Sequence, residues 1–231
     1  MMHGIARQVA VVSLVILAGA PTHAAEPTAE PTESDRATAT HSFADVKYWS
    51  SIFDDPRRDE WQKPQALVDA LQVRPGMTVA DLGAGTGYFS RYLSAAVGPQ
   101  GAVLAIEIEP TLLTHLRERA EREHSDNLVP LLASADNPRL PSAGVDLILI
   151  ADTYHHLDHR MRYLPLLRRA LRSAGRIAVV DWKAGELPQG PPPEHKLARE
   201  RVIEEMTGAG FVLVGEPDLL PYHYVLIFAV R

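Results

Sequence analysis

Asp81-Leu82-Gly83-Ala84-Gly85-Thr86-Gly87 lies between a short apolar run, Met77-Thr78-Val79-Ala80, and a stretch in which Phe89, Tyr92, Leu93 and Ala96 recur at helical spacing. A strand that enters a helix through three glycines is a loop suited to positive φ and to close approach of a ligand to the backbone. The dinucleotide fingerprint Gly-x-Gly-x-x-Gly/Ala would place glycine or alanine at position 88, where this chain has Tyr88 and a glycine one place early. Asp81, two residues before the first glycine, would repel a pyrophosphate and favour a cationic ligand.

Outward from this loop the chain alternates. Apolar strand patterns are expected at 77–81, 102–106, 128–132, 146–150 and 176–180, with helices at 88–97, 110–123, 160–172 and 199–207. Residues 146–150 are apolar after Asp146, as suits a parallel strand covered on both faces. Two last strands, 211–214 and 222–230, have no helix-length segment between them and are expected to pair antiparallel. The fold class is α/β: a Rossmann-like doubly wound sheet of seven strands, mainly parallel, with a C-terminal antiparallel hairpin.

Glu107 ends the second strand, 24 residues after Gly83, where a carboxylate accepts hydrogen bonds from both hydroxyls of a ribose. Asp136 follows the third strand at the same sheet edge and is placed to accept from an adenine amino group. Loop and acids together describe a pocket for a nucleoside without phosphate.

At these residues the chain resembles the class I S-adenosylmethionine-dependent methyltransferases, over about residues 61–230. Residues 81–87 look like that family's first motif, Ala105-Ile106-Glu107-Ile108 resembles its ribose-binding acid, and Leu171-Arg172-Ser173-Ala174-Gly175-Arg176 is similar to its turn into the fifth strand. Ala174 stands where the family often has glycine. The nearer resemblance is to small-molecule enzymes of the quinone-biosynthesis type. The resemblance implies S-adenosylmethionine as cofactor, bound by Asp81, Gly83, Gly85, Gly87, Glu107 and Asp136, with Asp152 lining its methionine end. The family's Asn/Asp-Pro-Pro-Tyr and Pro-Cys signatures are absent, which leaves a small organic acceptor with an oxygen or carbon nucleophile.

A base is needed only if that acceptor must lose a proton. His155 and His156, just after the fourth strand, are the candidates. The alternative for both is a polar helix start with a histidine bonded to the backbone. Asp152 and Asp181 are too few oxygen ligands for magnesium, and no metal is assigned. Aromatic residues Tyr48, Trp49, Phe53 and Trp61 either cover the cofactor as a lid or pack against the sheet. Arg57 and Arg58, neutralised by Asp54, Asp55, Asp59 and Glu60, are expected to form a solvated charge run.

The 231 residues carry a net charge of −6 and no cysteine. The charge argues against a broad nucleic-acid surface; the missing cysteine removes disulfides, thiolate metal sites and thiol nucleophiles. Arg7, a twelve-residue apolar run at 9–20 and the small residues Ala24-Ala25 read as a signal peptide over 1–24, too short to span a membrane. Residues 25–41, dominated by Pro, Thr and Glu, read as a disordered linker, and 42–231 as the methyltransferase domain. Export to the periplasm is the expected location, with no stable membrane span after cleavage. Export also favours the rival reading, a non-catalytic nucleoside-binding protein of the cell envelope, because S-adenosylmethionine is made in the cytoplasm. A nicotinamide oxidoreductase is a third reading, opposed by Asp81 and Tyr88.

Overall fold

Three helices precede the first strand: α1 (Val46–Phe53), α2 (Arg58–Gln62) and α3 (Pro64–Ala70). The computed structural model describes residues 36–38 and 42–231; the expected signal peptide, and the expected linker apart from 36–38, lie outside the described residues. From β1 (Thr78–Leu82) the chain alternates through α4 (Tyr88–Val97), β2 (Ala102–Glu107), α5 (Pro110–Arg122) and β3 (Leu128–Leu132) to β4 (Val145–Ala151). It continues through α6 (Arg160–Ala170), β5 (Leu171–Trp182), α7 (Arg199–Gly208), β6 (Phe211–Gly215) and β7 (His223–Val230). The strands form one sheet of order β3-β2-β1-β4-β5-β7-β6. The first five are parallel, and β7 is antiparallel to both β5 and β6. The doubly wound sheet and its C-terminal hairpin are as the apolar pattern indicated.

Strand alternation divides the core in two. Ala80, Leu82, Ile148, Ile150, Ile177 and Val179 pack with Leu164 and Leu167 of α6 and with Val202 and Met206 of α7. Val79, Val103, Leu147, Leu149 and Val180 pack on the other face with Leu67 of α3 and with Phe89 and Leu93 of α4. Each such Val, Leu, Ile, Met or Phe side chain, fully buried, contributes about 1.5–3 kcal/mol relative to exposure. These central strands read as unbroken apolar runs because helices cover both of their faces.

One boundary differs from the sequence reading. The helix expected over 160–172 stops at Ala170, and Leu171 already pairs with Val145. The next register pair is Leu147 with Arg176, so 172–175 bulge out opposite Asp146 alone. The backbone N–H groups of Ala143 and Gly144 bond Arg169 and Ala170 carbonyls at 2.9 Å, which ends the helix and starts the strand together.

The strand order reverses between β1 and β4, and a ligand in an open α/β sheet binds at the carboxyl ends of such a pair. Among the described residues no helix is long and apolar enough to cross a membrane.

Candidate functional site

Gly83, Gly85 and Gly87 have φ of 75°, 57° and 88°. The turn is pinned to the neighbouring strand: Gly83 N–H and Ala84 N–H both donate to the Ile106 carbonyl, at 2.9 and 3.0 Å. A Cβ on Gly83 would lie 2.4 Å from the Thr153 side chain, so glycine is required where the β1 and β4 loops meet. A Cβ on Gly85 would lie 3.5 Å from the Phe53 ring, which is ordinary contact. Phe53, the last residue of α1, therefore stands directly over the glycine loop.

Glu107 reaches back to this loop. Its Oε2 accepts the Gly85 N–H at 2.9 Å, and its Oε1 accepts those of Ile108 and Glu109 at 2.7 and 3.0 Å. Burial pushes the Glu107 carboxyl up, and the three N–H donors oppose that shift. Asp81 is buried below the loop and accepts the Ser90 hydroxyl at 2.6 Å. Burial pushes its carboxyl up to about 6, opposed by Ser90 and assisted by the charge of Glu107. Asp136 lies in the loop after β3 with its side chain exposed, accepting the Ser134 hydroxyl at 2.7 Å.

Asp152, at φ 52° after β4, is more heavily engaged than the sequence showed. Its Oδ2 accepts from Arg58 Nη2 and Gln62 Nε2, both at 2.8 Å. His223 Nε2 lies 2.8 Å from its Oδ1, an ion pair when the imidazole is protonated. Burial would raise this carboxyl, but His223 and then Arg58 outweigh it and hold it at about 2.

Arg58 corrects the expectation of a solvated charge run. Its side chain is 11% exposed, its guanidinium lies 4.2 Å from the Tyr88 ring centroid, and Nη1 donates to the Phe53 carbonyl. Asp54 accepts from Arg119 Nη1 at 2.8 Å and from the Thr86 hydroxyl at 3.0 Å. Asp59 accepts the Tyr88 and Tyr92 hydroxyls at 2.6 and 2.8 Å. Arg57, Asp59 and Glu60 of the run stay exposed, as the pattern implied. Arg58, Gln62 and His223 were not legible as site residues, because nothing local in the sequence brings α2, β4 and β7 together. Trp61 stacks on the same His223, with ring planes 5° apart at 5.7 Å.

His155 is 2% exposed, and its Nδ1 lies 2.8 and 3.0 Å from the two oxygens of fully buried Asp181. Burial lowers its basicity, but the Asp181 charge outweighs this and its pKa is raised. His156 is half-buried, 4.1 Å from the His155 ring and edge-on to Phe43 at 5.5 Å. The Thr38 N–H and hydroxyl both donate to the His155 carbonyl, and the Arg36 carbonyl accepts from buried Arg160 at 2.7 Å. Residues 36–38, within the stretch expected as linker, are thus bonded to the domain. Beside His223 a cleft of about 400 Å³ opens, lined by Lys183, Arg199, Glu216 and Asp218 among others. No group of three or more metal-ligating side chains occurs among the described residues.

A family profile described as a methyltransferase domain matches residues 79–175, from β1 through the turn into β5. A crystal structure of a SAM-dependent methyltransferase from Aquifex aeolicus is 28% identical, with a TM-score of 0.77 over 83% of this chain and 100% of that one. The chain is thus similar to the S-adenosylmethionine-dependent methyltransferases in sequence from β1 to β5 and in fold. This methyltransferase relative is also similar to the ubiquinone/menaquinone biosynthesis C-methyltransferases UbiE. It is 31% identical to that of Bordetella avium over 54% of this chain and 48% of the other. It is 30% identical to that of Ectopseudomonas mendocina over 67% and 59%. The chain spans about half the length of the first of these curated relatives.

Proposed function

We propose that this chain transfers a methyl group from S-adenosylmethionine to a small organic acceptor through an oxygen or carbon nucleophile. The observation that carries the reading is the contact between Glu107 and the Gly85 N–H at 2.9 Å, which brings the acid and the glycine loop to one space. The cofactor fits these residues. A buried carboxylate at the end of β2 suits two ribose hydroxyls, a bare glycine backbone suits close approach, and buried acids favour a cation. When bound, S-adenosylmethionine supplies a methyl already activated on a sulfonium.

The chain then has mainly to bind and align. Glu107 would hold the ribose and the 83–87 backbone the chain leading to sulfur, with Phe53 over the loop to exclude water. Asp136 is assigned to the adenine and Asp152 to the methionine end. His155, spent on Asp181, is a positioning residue; neighbouring His156 is the base for an acceptor that must lose a proton. The cleft beside His223 is where we place the acceptor, and its charged lining suits a polar molecule. We also assign the protein an exported location, on the signal pattern of residues 7–25.

Calorimetry on the mature chain tests binding, with S-adenosylmethionine, S-adenosylhomocysteine and NAD compared. Transfer of labelled methyl from S-adenosylmethionine into a small-molecule extract tests catalysis. Binding without transfer would favour the non-catalytic rival, and preference for NAD would overturn both. Mass spectrometry of native protein from cell fractions tests location: the expected mature chain begins at Ala25 or Glu26, and an intact Met1 in the cytosol overturns export.

A further inference from the structure

Residues 168–176 hold four arginines and no acid, in a chain whose net charge is −6. Three of the four, Arg168, Arg169 and Arg172, line a cleft of about 420 Å³ that has no carboxylate in its lining and an apolar wall that includes Leu171 and Val230. The cleft lies where α6 ends and β5 begins, at the edge of the sheet opposite the glycine loop. Helix α6 alone puts about 16 Å between the Asp152 side of the molecule and this end.

Ordinary roles for surface arginines do not account for these. Arg172 is paired: its Nη1 donates to Asp146 Oδ2, which also accepts the Thr78 N–H at 2.8 Å. Neither Arg168 nor Arg169 has an acidic partner or a side-chain hydrogen bond among the described residues. Capping does not need them. The last carbonyls of α6, those of Arg168, Arg169 and Ala170, already accept the backbone N–H groups of Leu171, Ala143 and Gly144. The end of the helix carries roughly half a negative charge, which one guanidinium offsets. Arg168 is positioned by shape rather than by an acid. Gly210, at φ 86°, turns bare backbone toward it, and a Cβ there would lie 3.4 Å from Arg168 Nη1. The turn between α7 and β6 thus holds a guanidinium at the cleft without neutralising it.

With Arg172 offset by Asp146, two positive charges remain, on planar forks that take oxyanions through paired N–H donors. A phosphate monoester carries about −1.5 to −2 at neutral pH and matches that charge. A single carboxylate would leave one guanidinium without a partner. A nucleic-acid backbone would need cations spread along a longer face. The volume is within the range of small-molecule sites, roughly 300–1,000 Å³, and the apolar wall suits an organic group attached to the phosphate. We propose that Arg168 and Arg169, with Arg172 beside them, form a second binding site that takes an organic phosphate monoester, either a soluble one or the headgroup of a lipid. The site does not rest on the methyltransferase reading.

Calorimetry at low ionic strength tests it, with phenyl phosphate as the probe. The parent is compared with the double variant Arg168→Gln, Arg169→Gln, in which both positions are exposed and glutamine keeps a helix propensity close to that of arginine. The variant is expected to bind phenyl phosphate at least about tenfold more weakly. Its affinity for S-adenosylhomocysteine is expected to stay within about twofold of the parent's, because the two sites share no side chain. A parent that does not bind phenyl phosphate, or equal affinity in parent and variant, overturns the site, and so does parallel loss of both ligands. Should the double variant fail to fold, Arg168→Gln alone is read in the same way. Benzoate tests the charge match: the parent is expected to bind it at least about tenfold more weakly than phenyl phosphate, and equal affinity overturns the assignment to a phosphate. Flotation with phosphatidylcholine vesicles, with and without phosphatidic acid, distinguishes the sources. Retention that requires phosphatidic acid and is lost in the variant supports the lipid headgroup, and binding of phenyl phosphate without retention supports the soluble ester.

Discussion

The glycine loop and the Asp152 cluster face each other across the β1–β4 switch point, and they are built by opposite means. The loop side closes over short distances in sequence. Asp81 meets Ser90 nine residues on, and Glu107 meets Gly85 across 22. It relies on backbone N–H groups and on positive φ. The Asp152 side is assembled from side chains brought together over 94 residues for Arg58 and 90 for Gln62. Local closure needs only a turn and two strands. Long-range closure needs the whole sheet in register before the charges meet, because loop-closure entropy is lost before any contact forms. A local site is therefore the more sensitive to single backbone changes, and a long-range site the more sensitive to how the N-terminal helices seat.

The hardest break of the loop side is Gly83→Val. A strained positive φ costs about 1–3 kcal/mol and overpacking against Thr153 about as much again. A fall in Tm of several degrees is expected in thermal unfolding, with nucleoside binding lost. An unchanged Tm would mean that the two loops do not meet at Gly83.

Glu107→Ala is next. Each hydrogen bond to a charged group is worth about 1.5–3 kcal/mol, so losing the ribose acceptor should weaken S-adenosylmethionine at least about tenfold in calorimetry. Unchanged affinity in a folded variant would remove Glu107 from the site.

Asp81→Asn sharpens the comparison because its two effects should have opposite signs. A carboxyl raised from 3.8 to about 6 by burial makes the native state less stable above that range, and stability rises as pH falls from about 6 to 4. Asparagine still accepts from Ser90 and removes the charge. The variant is expected to gain about 1–3 kcal/mol at pH 7.5 by chemical denaturation while binding the cofactor more weakly. A variant less stable than the parent would contradict the burial of an ionised Asp81.

The smallest effect belongs to the His155–Asp181 pair, 26 residues apart and beside the Asp152 cluster. His155 has its pKa raised, with Asp181 on β5 and Asp152 after β4 favouring the charged ring and Arg160 on α6 opposing it. The stability this contributes is fully present below the unfolded value of 6.5 and is lost as pH rises through the folded value. Between pH 6 and pH 9 the parent should lose more Tm than Asp181→Asn, by a degree or two. Identical slopes would mean that Asp181 does not favour the protonated ring of His155.

Much of the fold was legible because its strongest signals are local. The apolar run at β4 can sit only between two layers of helix, and a glycine-rich turn after β1 admits few alternatives. The end of α6 was misread because Leu171 continues the helical spacing of Leu164 and Leu167. Pairing with Val145 takes it into β5 instead, a preference that only the neighbouring strand supplies. Asp152 was picked out by its position after β4, but its partners were not.

The sequence by itself determined the strand and helix pattern, the positive-φ turn at Gly83 and Gly85 and the acid at the end of β2, since each follows from the chemistry of adjacent residues. The tertiary structure alone decided that Arg58 leaves a run of surface charge to meet Asp152, that His155 is held by Asp181 and that Phe53 stands over Gly85. Those pairings join residues with no local relation, and charged side chains adopt them only where packing of the sheet and its covering helices has excluded the water that would otherwise solvate them.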